Sequence, residues 1–246
     1  GANVVVAVGF SFATPLEAIA AEFPDTKFVI IDAVVEQPNV QSVVFKEHEG
    51  SFLVGMAAAM ASQTGKVGFV GGMDIPLIRN FAHGYQQGVK HVSPDAEVFV
   101  NMTGTTPAAW NDPAKGAELA QSQFDRGADV VSAAAAGTGL GVLQPAADSG
   151  KLSIGVDSNQ NYLHPGSVLT SMLKRVDVAV YNAFKDAKEG DLETGVKNLG
   201  LAEDGVQVLR TYYNPMVPVS IPGAAYKVLV NGRAGGFRHQ SIVDFE

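Results

Sequence analysis

The stretch DVVSAAAAGTGLGVLQPAADSGKLSIGVDSNQ, residues 129–160, reads as an apolar strand, a glycine turn, a helix, a second apolar strand and a polar tip. A strand that enters a helix and returns as another strand is the repeating unit of an open parallel α/β sheet, in which ligands collect in crevices beyond the carboxyl ends of the strands. Those ends carry Gly137, Thr138, Gly139 and Asp157. Glycines at such a place serve either a tight turn or the close approach of backbone to a ligand. Asp157 serves either as a loop cap or as an acceptor for ligand groups.

The same alternation runs outward in both directions. Short β-branched runs predict strands at 4–8, 28–32, 40–45, 67–71, 97–101, 130–134, 153–156 and 168–172, and their apolar character predicts burial on both faces. Helical spacing predicts helices at 15–22, 50–62, 76–91, 113–126, 141–149 and 176–189, with Pro15, Pro76 and Pro113 where first-turn prolines stand. In the last helix Val176, Val180, Ala183, Phe184 and Ala187 are expected to face the core. The junction SQTGK, residues 62–66, reads as a capped helix end and a restart, the expected first crossing between two lobes. From 206 onward Pro215, Pro218 and Pro222 break the pattern before a strand-like YKVLVN and a turn GRAGG.

A chain of 246 residues with 46% hydrophobic and 17% charged residues is long enough to bury a sizeable core in one or two domains. Its net charge of −8 argues against a nucleic-acid surface and for a small partner. The absence of cysteine removes disulfides, thiolate catalysis and cysteine metal sites, while leaving the compartment open. No apolar run reaches membrane-spanning length, and the opening GANVVVAVGF reads as an interior strand rather than a signal peptide.

The residues at successive strand ends carry the chemistry. Phe10 and Phe12 follow the first strand, where a ring either lies against a flat ligand or plugs the sheet end. GGMDIP, residues 71–76, places Gly71 and Gly72 where backbone comes close to something. Asp74 there is either an acceptor or a helix N-cap. The sole tryptophan, Trp110, lies in a polar loop before a helix that Asp112 is expected to cap, and suits either surface packing or ring stacking. Asp157 with Ser158, Asn159 and Gln160 forms a cluster suited to hydroxyl groups, and Lys174 adds a cation unless it and Arg175 are only a solvated helix start. Together these groups point to a polyhydroxylated ligand.

Enzyme readings fare less well on the same residues. GTGLGV follows a strand, opens a helix and has Asp157 roughly 20 residues later, as a dinucleotide fingerprint requires, but Gly141 comes one residue early and Val142 takes its place. No P-loop or G-x-S-x-G elbow is present, and His48, His83, His91, His164 and His239 lack paired-ligand spacing. A nucleotide-cofactor enzyme of Rossmann type built on GTGLGV stays open as an alternative, as does a sugar-binding or regulatory module of the same fold.

Several runs, in order, resemble one family: VGFSFATPLEAIAAEFPDTKFVIID, NVQSVVFKEHEGSFLVGMAAAMASQTGKVGFVGGMDIP, AAWNDPAKG, GTGLGV, GVDSNQ and SMLKRVDVAVYNAF. They are similar to the BMP, or basic membrane protein, family of bacterial solute-binding proteins, and within it to the purine-nucleoside receptors, over roughly residues 1–205. The resemblance implies a type I periplasmic-binding-protein fold: two doubly wound parallel-sheet lobes with a hinge, the first from 1–65 and 173–205, the second from 66–172, and an atypical tail at 206–246. It implies a protein without catalytic activity, cofactor or metal, binding a nucleoside for the permease of an ABC importer at the periplasmic or cell-surface side. Phe10 would then sit against the ligand and Met73 and Asp74 would approach from the GGMD turn. Trp110 would stack on the base, Gly137 would line the pocket, and Asp157 and Lys174 would bind the ribose hydroxyls. The family also begins with a strand and helix bearing a D-x-S-F-N motif, which does not precede Gly1, so the first lobe is expected to be incomplete. The tail strand at 226–230 is a candidate occupant of the vacant sheet edge.

Overall fold

The computed structural model describes residues 1–209, and the chain divides into two compact units. The elements begin with β1 (Val4–Val8), α1 (Ala13–Ile19), β2 (Lys27–Ile31), β3 (Val40–Phe45), α2 (Glu47–Ala61), β4 (Lys66–Met73), α3 (Pro76–Val92) and β5 (Glu97–Gly104). They continue with α4 (Pro113–Asp125), β6 (Val130–Ala134), α5 (Ala136–Asp148), β7 (Leu152–Asp157), β8 (Val168–Lys174), α6 (Val176–Glu189), β9 (Gly195–Leu199) and β10 (Val206–Val208). The strand expected at 226–230 lies outside the described residues.

The first unit, Gly1–Lys46 with Lys174–Val206, holds a four-stranded parallel sheet in the order β1-β2-β3-β9. Alternation along β2 sends side chains to opposite faces. Phe28 and Ile30 join Leu16 and Ala20 of the α1 region and Val40 in one core, while Val29 and Ile31 are buried on the other face. There α6 meets β1 and β2: Ala183 is buried as expected and Ala179 joins it, Val176, Val180 and Ala187 are half-buried, and Phe184, expected in the core, is 49% exposed. Two alanines one turn apart let a helix backbone approach a sheet closely, and that contact turns Phe184 outward.

The second unit, Glu47–Leu173 together with 207–209 of the described residues, holds a six-stranded sheet in the order β10-β8-β7-β6-β4-β5. Helices α4 and α5 cover one face, where Phe124, Ala120, Val142 and Ala146 close on Val70, Phe99 and Val131. Helices α2 and α3 cover the other, with Tyr85 fully buried against Phe69 at a ring separation of 5.8 Å. Small residues set the α2–α3 distance. A Cβ on Gly84 would lie 2.4 Å from the His48 carbonyl oxygen, one on Gly88 1.9 Å from that of Phe52, and one on Gly55 2.2 Å from that of Tyr85.

This close crossing gives α2 to the second unit, so the chain divides at Lys46/Glu47 rather than at the 65/66 position expected from SQTGK. The SQTGK junction itself is held by Asp129, whose carboxylate accepts hydrogen bonds from Ser62 Oγ at 2.6 Å and from the amides of Gln63 at 2.6 Å and Thr64 at 2.9 Å. Within this sheet β4 lies between β5 and β6. The chain leaves β4 through α3 to one side and returns through α4 to the other, which makes the carboxyl ends of β4 and β6 a topological switch point.

Candidate functional site

At that switch point the second unit gathers four of the expected residues: Met73, Asp74, Trp110 and Gly137. The β4 register sets Gly71 beside Met102 and Ala134, and Met73 beside Gly104. Gly72 is the close-approach position: a Cβ there would stand 2.3 Å and 2.5 Å from carbons of the Trp110 ring. The indole therefore lies directly on the β4 backbone. Its loop is a turn of 3-10 helix, Pro107–Trp110, clamped from both sides. Thr103 Oγ1 donates to the Ala109 carbonyl at 3.0 Å, and buried Thr138 Oγ1 donates to the same carbonyl at 2.8 Å while accepting from the Asp112 amide at 2.7 Å. Asp112 caps α4 as expected, its Oδ1 accepting from the Lys115 amide at 2.9 Å. Trp110 is half-buried, on a loop held in place by these hydrogen bonds.

The GTGLGV glycines do different work from a dinucleotide turn. Residue Ala136 takes a φ of 47° and α5 begins there, so Gly137, Thr138 and Gly139 form its first turn instead of a loop before it. A Cβ on Gly141 would lie 1.9 Å from the Pro113 carbonyl oxygen, and one on Gly116 2.3 Å from that of Thr138. These glycines are consumed by the α4–α5 crossing. Gly137 lies against the tryptophan loop, where an added Cβ would stand 3.2 Å from the Trp110 carbonyl oxygen, a little inside ordinary contact.

Asp74 is not the cap of α3. Ile75 occupies the N-cap of α3, and Asp74 instead takes a two-pronged contact from Arg79, Nε to Oδ1 at 2.7 Å and Nη2 to Oδ2 at 3.0 Å. The Arg79 hydrogen bond holds its carboxyl below the ordinary carboxylate value. Asp157 ends β7 with a φ of 65°, an exposed residue in register with Leu173. Of its polar neighbours, Gln160 is held by the protein: its side-chain Oε1 accepts from the Val156 amide at 2.9 Å and its backbone N–H donates to Ser171 Oγ at 3.0 Å. Asn159 Oδ1 accepts from the Asn161 amide at 3.0 Å. The loop that carries Asp157 and Ser158 is thus braced from within by Gln160 and Asn159.

The first unit carries Phe10 and Lys174. Phe10 opens a short 3-10 turn, Phe10–Phe12, and is half-buried, while Phe12 is 50% exposed. Gly9 donates its amide to the Ile31 carbonyl at 3.1 Å, which seats Phe10 beside the end of β2. Lys174 is not a solvated helix start. It is the last residue of β8, with a side chain only 5% exposed, its Nζ 2.6 Å from Asp32 Oδ1 and 5.1 Å from the centre of the Phe45 ring. Arg175, the N-cap residue of α6, pairs with Asp177.

Asp32 is the residue sequence reasoning missed. It ends β2 as Asp157 ends β7, and the two share a left-handed backbone, φ 70° for Asp32, a conformation uncommon outside glycine and worth stabilising only where the local structure demands it. The rule that singled out Asp157, an acid at the carboxyl end of an apolar strand, selects Asp32 equally. A cavity of about 190 Å³ between α6 and the β3 and β9 strands, lined by Gln41, Arg175, Asn182, Lys197 and Glu203 among others, includes none of the expected ligand groups. Among the described residues no group of three or more His, Asp or Glu side chains is arranged to hold a metal, and no helix is long and apolar enough to cross a membrane.

Comparison with known proteins gives a consistent picture. Residues 1–218 match the family model described as ABC transporter substrate-binding protein PnrA-like. The chain is 33% identical over 231 residues to Basic membrane protein A2 of Borrelia garinii, covering 90% of this chain and 66% of that protein. It is 34% identical over 227 residues to the ABC transporter nucleoside-binding protein BmpA of Lactococcus lactis, covering 85% of this chain and 64% of that one. A crystal structure of an ABC transporter solute-binding protein from Aeropyrum pernix superposes with a TM-score of 0.77 at 32% identity, over 94% of this chain and 70% of the other. The chain thus spans under two thirds of the length of these two curated relatives.

Proposed function

Because the chain belongs to the PnrA-like family of ABC transporter substrate-binding proteins, we propose that it binds a nucleoside, a purine nucleoside in particular, and presents it to the membrane permease of an importer without chemical change. The observation that carries this reading is the preorganised indole of Trp110, laid on Gly72 at the sheet switch point and clamped by Thr103 and Thr138. A flat aromatic face held in place is what a nucleobase stacks on, and Asp157 at the neighbouring strand end suits the ribose hydroxyls. In the first unit, Lys174, held beside Asp32, is a donor of the kind that suits a sugar hydroxyl, and Phe10 offers an apolar surface. The nucleoside-binding relative supports the ligand class.

Binding in this account is recognition without catalysis. The protein works on the outer side of the membrane. The cofactor-enzyme alternative loses support, since Gly141 is taken by the α4–α5 crossing and Gly137 and Gly139 lie within the first turn of α5 rather than in a loop before it. Calorimetry with adenosine, guanosine, inosine, uridine, ribose and a free purine tests the proposal. Purine nucleosides bind most tightly if it is right. Equal binding of ribose, or preferential binding of a nicotinamide dinucleotide, rejects it.

A further inference from the structure

Two hydroxyls closed off from solvent hold the loops that carry Trp110 and Asp157. Thr138, 0% exposed in the first turn of α5, directs its one O–H to the Ala109 carbonyl at 2.8 Å and takes the Asp112 amide on its oxygen at 2.7 Å. Residues 109 and 112 stand on either side of Trp110 and Asn111, so one side chain staples that pair from both ends. Ser171, 0% exposed in β8, is used in the same way: its Oγ donates to Asn161 Oδ1 at 2.8 Å and accepts from the Gln160 amide at 3.0 Å. Gln160 Oε1 reaches back to the Val156 amide at 2.9 Å, which closes residues 157–159 into a loop hung from β8. Gly155 leaves room for this, since a Cβ there would stand 2.7 Å from both Gln160 Oε1 and Ser171 Oγ. Removing a buried hydroxyl that both donates and accepts leaves the N–H it received without that partner, which costs more than the loss of an ordinary solvated contact.

Resting on the nucleoside reading above, we infer that Thr138 and Ser171 are positioning residues that divide recognition between them: Thr138 sets the Trp110 face for the base, and Ser171 sets Asp157 for the sugar. Each acts through the loop it holds rather than by touching the ligand. Thr138 ties the start of α5 to the loop after β5, and Ser171 ties β8 to the loop after β7, so either staple can be undone without the other. Thr103 is the weaker partner of Thr138. The Ala109 carbonyl receives both hydroxyls, at 3.0 Å from Thr103 and 2.8 Å from Thr138, whereas the Asp112 amide is received by Thr138.

The test combines the fluorescence emission of Trp110, the sole tryptophan, with calorimetry of inosine, and of hypoxanthine and ribose by displacement of inosine. It uses the full chain and its Thr138→Val, Thr138→Ser, Thr103→Val and Ser171→Ala variants, each checked for folding by circular dichroism. Thr138→Val keeps the shape and removes the hydroxyl. It shifts the emission of the unliganded chain and weakens inosine and hypoxanthine by the same factor, roughly tenfold, with ribose unmoved. Thr138→Ser restores both readouts, and Thr103→Val changes each by less than Thr138→Val does. Ser171→Ala weakens inosine and ribose by a common factor and leaves hypoxanthine affinity and the emission as they were. A role confined to stability weakens all three ligands alike. That result, or unchanged emission and hypoxanthine affinity in folded Thr138→Val, overturns the inference while the nucleoside reading stands. Failure of the folded, unmodified chain to bind inosine overturns the nucleoside reading and the division of roles with it.

Discussion

Replacing Gly72 by alanine moves the one tryptophan of the chain. The added Cβ would stand 2.3 Å, 2.5 Å and 3.1 Å from three carbons of the Trp110 ring, against a carbon–carbon contact distance of about 3.5–4.0 Å. The backbone of β4 is fixed on both sides by β5 and β6, so the ring gives way, by roughly 1–1.5 Å on those distances. Overpacking of this kind costs about 1–3 kcal/mol of stability, which leaves a folded protein. The displaced ring no longer offers the base its face, and base–aromatic stacking contributes about 1–3 kcal/mol, so nucleoside affinity falls roughly fivefold to 150-fold while ribose binding stays as it was. Because Trp110 is the sole tryptophan, its fluorescence emission reports the displacement directly, and calorimetry reports the affinity. Gly72→Ala protein with unchanged emission and unchanged nucleoside affinity would refute the assignment of Trp110 as the base platform.

Other consequences follow from the same contacts. Asp157→Ala weakens a nucleoside by roughly tenfold and a free base hardly at all, compared by calorimetry, and equal losses would remove Asp157 from the sugar. Asp32→Ala removes the carboxylate 2.6 Å from the Lys174 ammonium, whose side chain is only 5% exposed, which lowers stability by about 3–5 kcal/mol. In urea unfolding, Lys174→Met added to Asp32→Ala recovers most of that loss. Gly141→Ala drives a Cβ into the Pro113 carbonyl and destabilises the second unit while leaving nucleoside selectivity intact, whereas a cofactor turn would lose its ligand. Acidification has a defined sign at Asp74: its folded value lies below the unfolded one, so the pair's contribution is present above the ordinary carboxylate range and fades as pH falls through the folded value. Asp74→Asn removes that portion of the acid-side decline in a thermal-melting pH series.

The parallel-sheet architecture was legible because its strands are apolar on both faces: β1, β3 and β6 fall on the residues their β-branched runs predict. Strand β9 was not, since GVKNL is an exposed edge strand without an apolar run, specified by its pairing with β3 rather than by its own composition. The owner of α2 was hidden for a related reason. Its alanine- and glycine-rich surface fits closely against any helix, and only the facing Gly84 and Gly88 decide which one. Local sequence located Trp110, Gly72 and Asp157 because each sits at a strand end next to a turn. It could not show that Lys174 is paired, because Asp32 is brought to it by folding from far along the chain. The glycines of GTGLGV illustrate the opposite failure: the spacing that lets backbone approach a phosphate also lets one helix approach another, and here Pro113 and Gly116 are what approach.

The most direct measurement is a crystal structure of the chain with guanosine. The account predicts the base lying on the Trp110 ring and the ribose hydroxyls at Asp157. A nucleoside found elsewhere, with the Trp110 face uncovered and Asp157 facing only solvent, would contradict it.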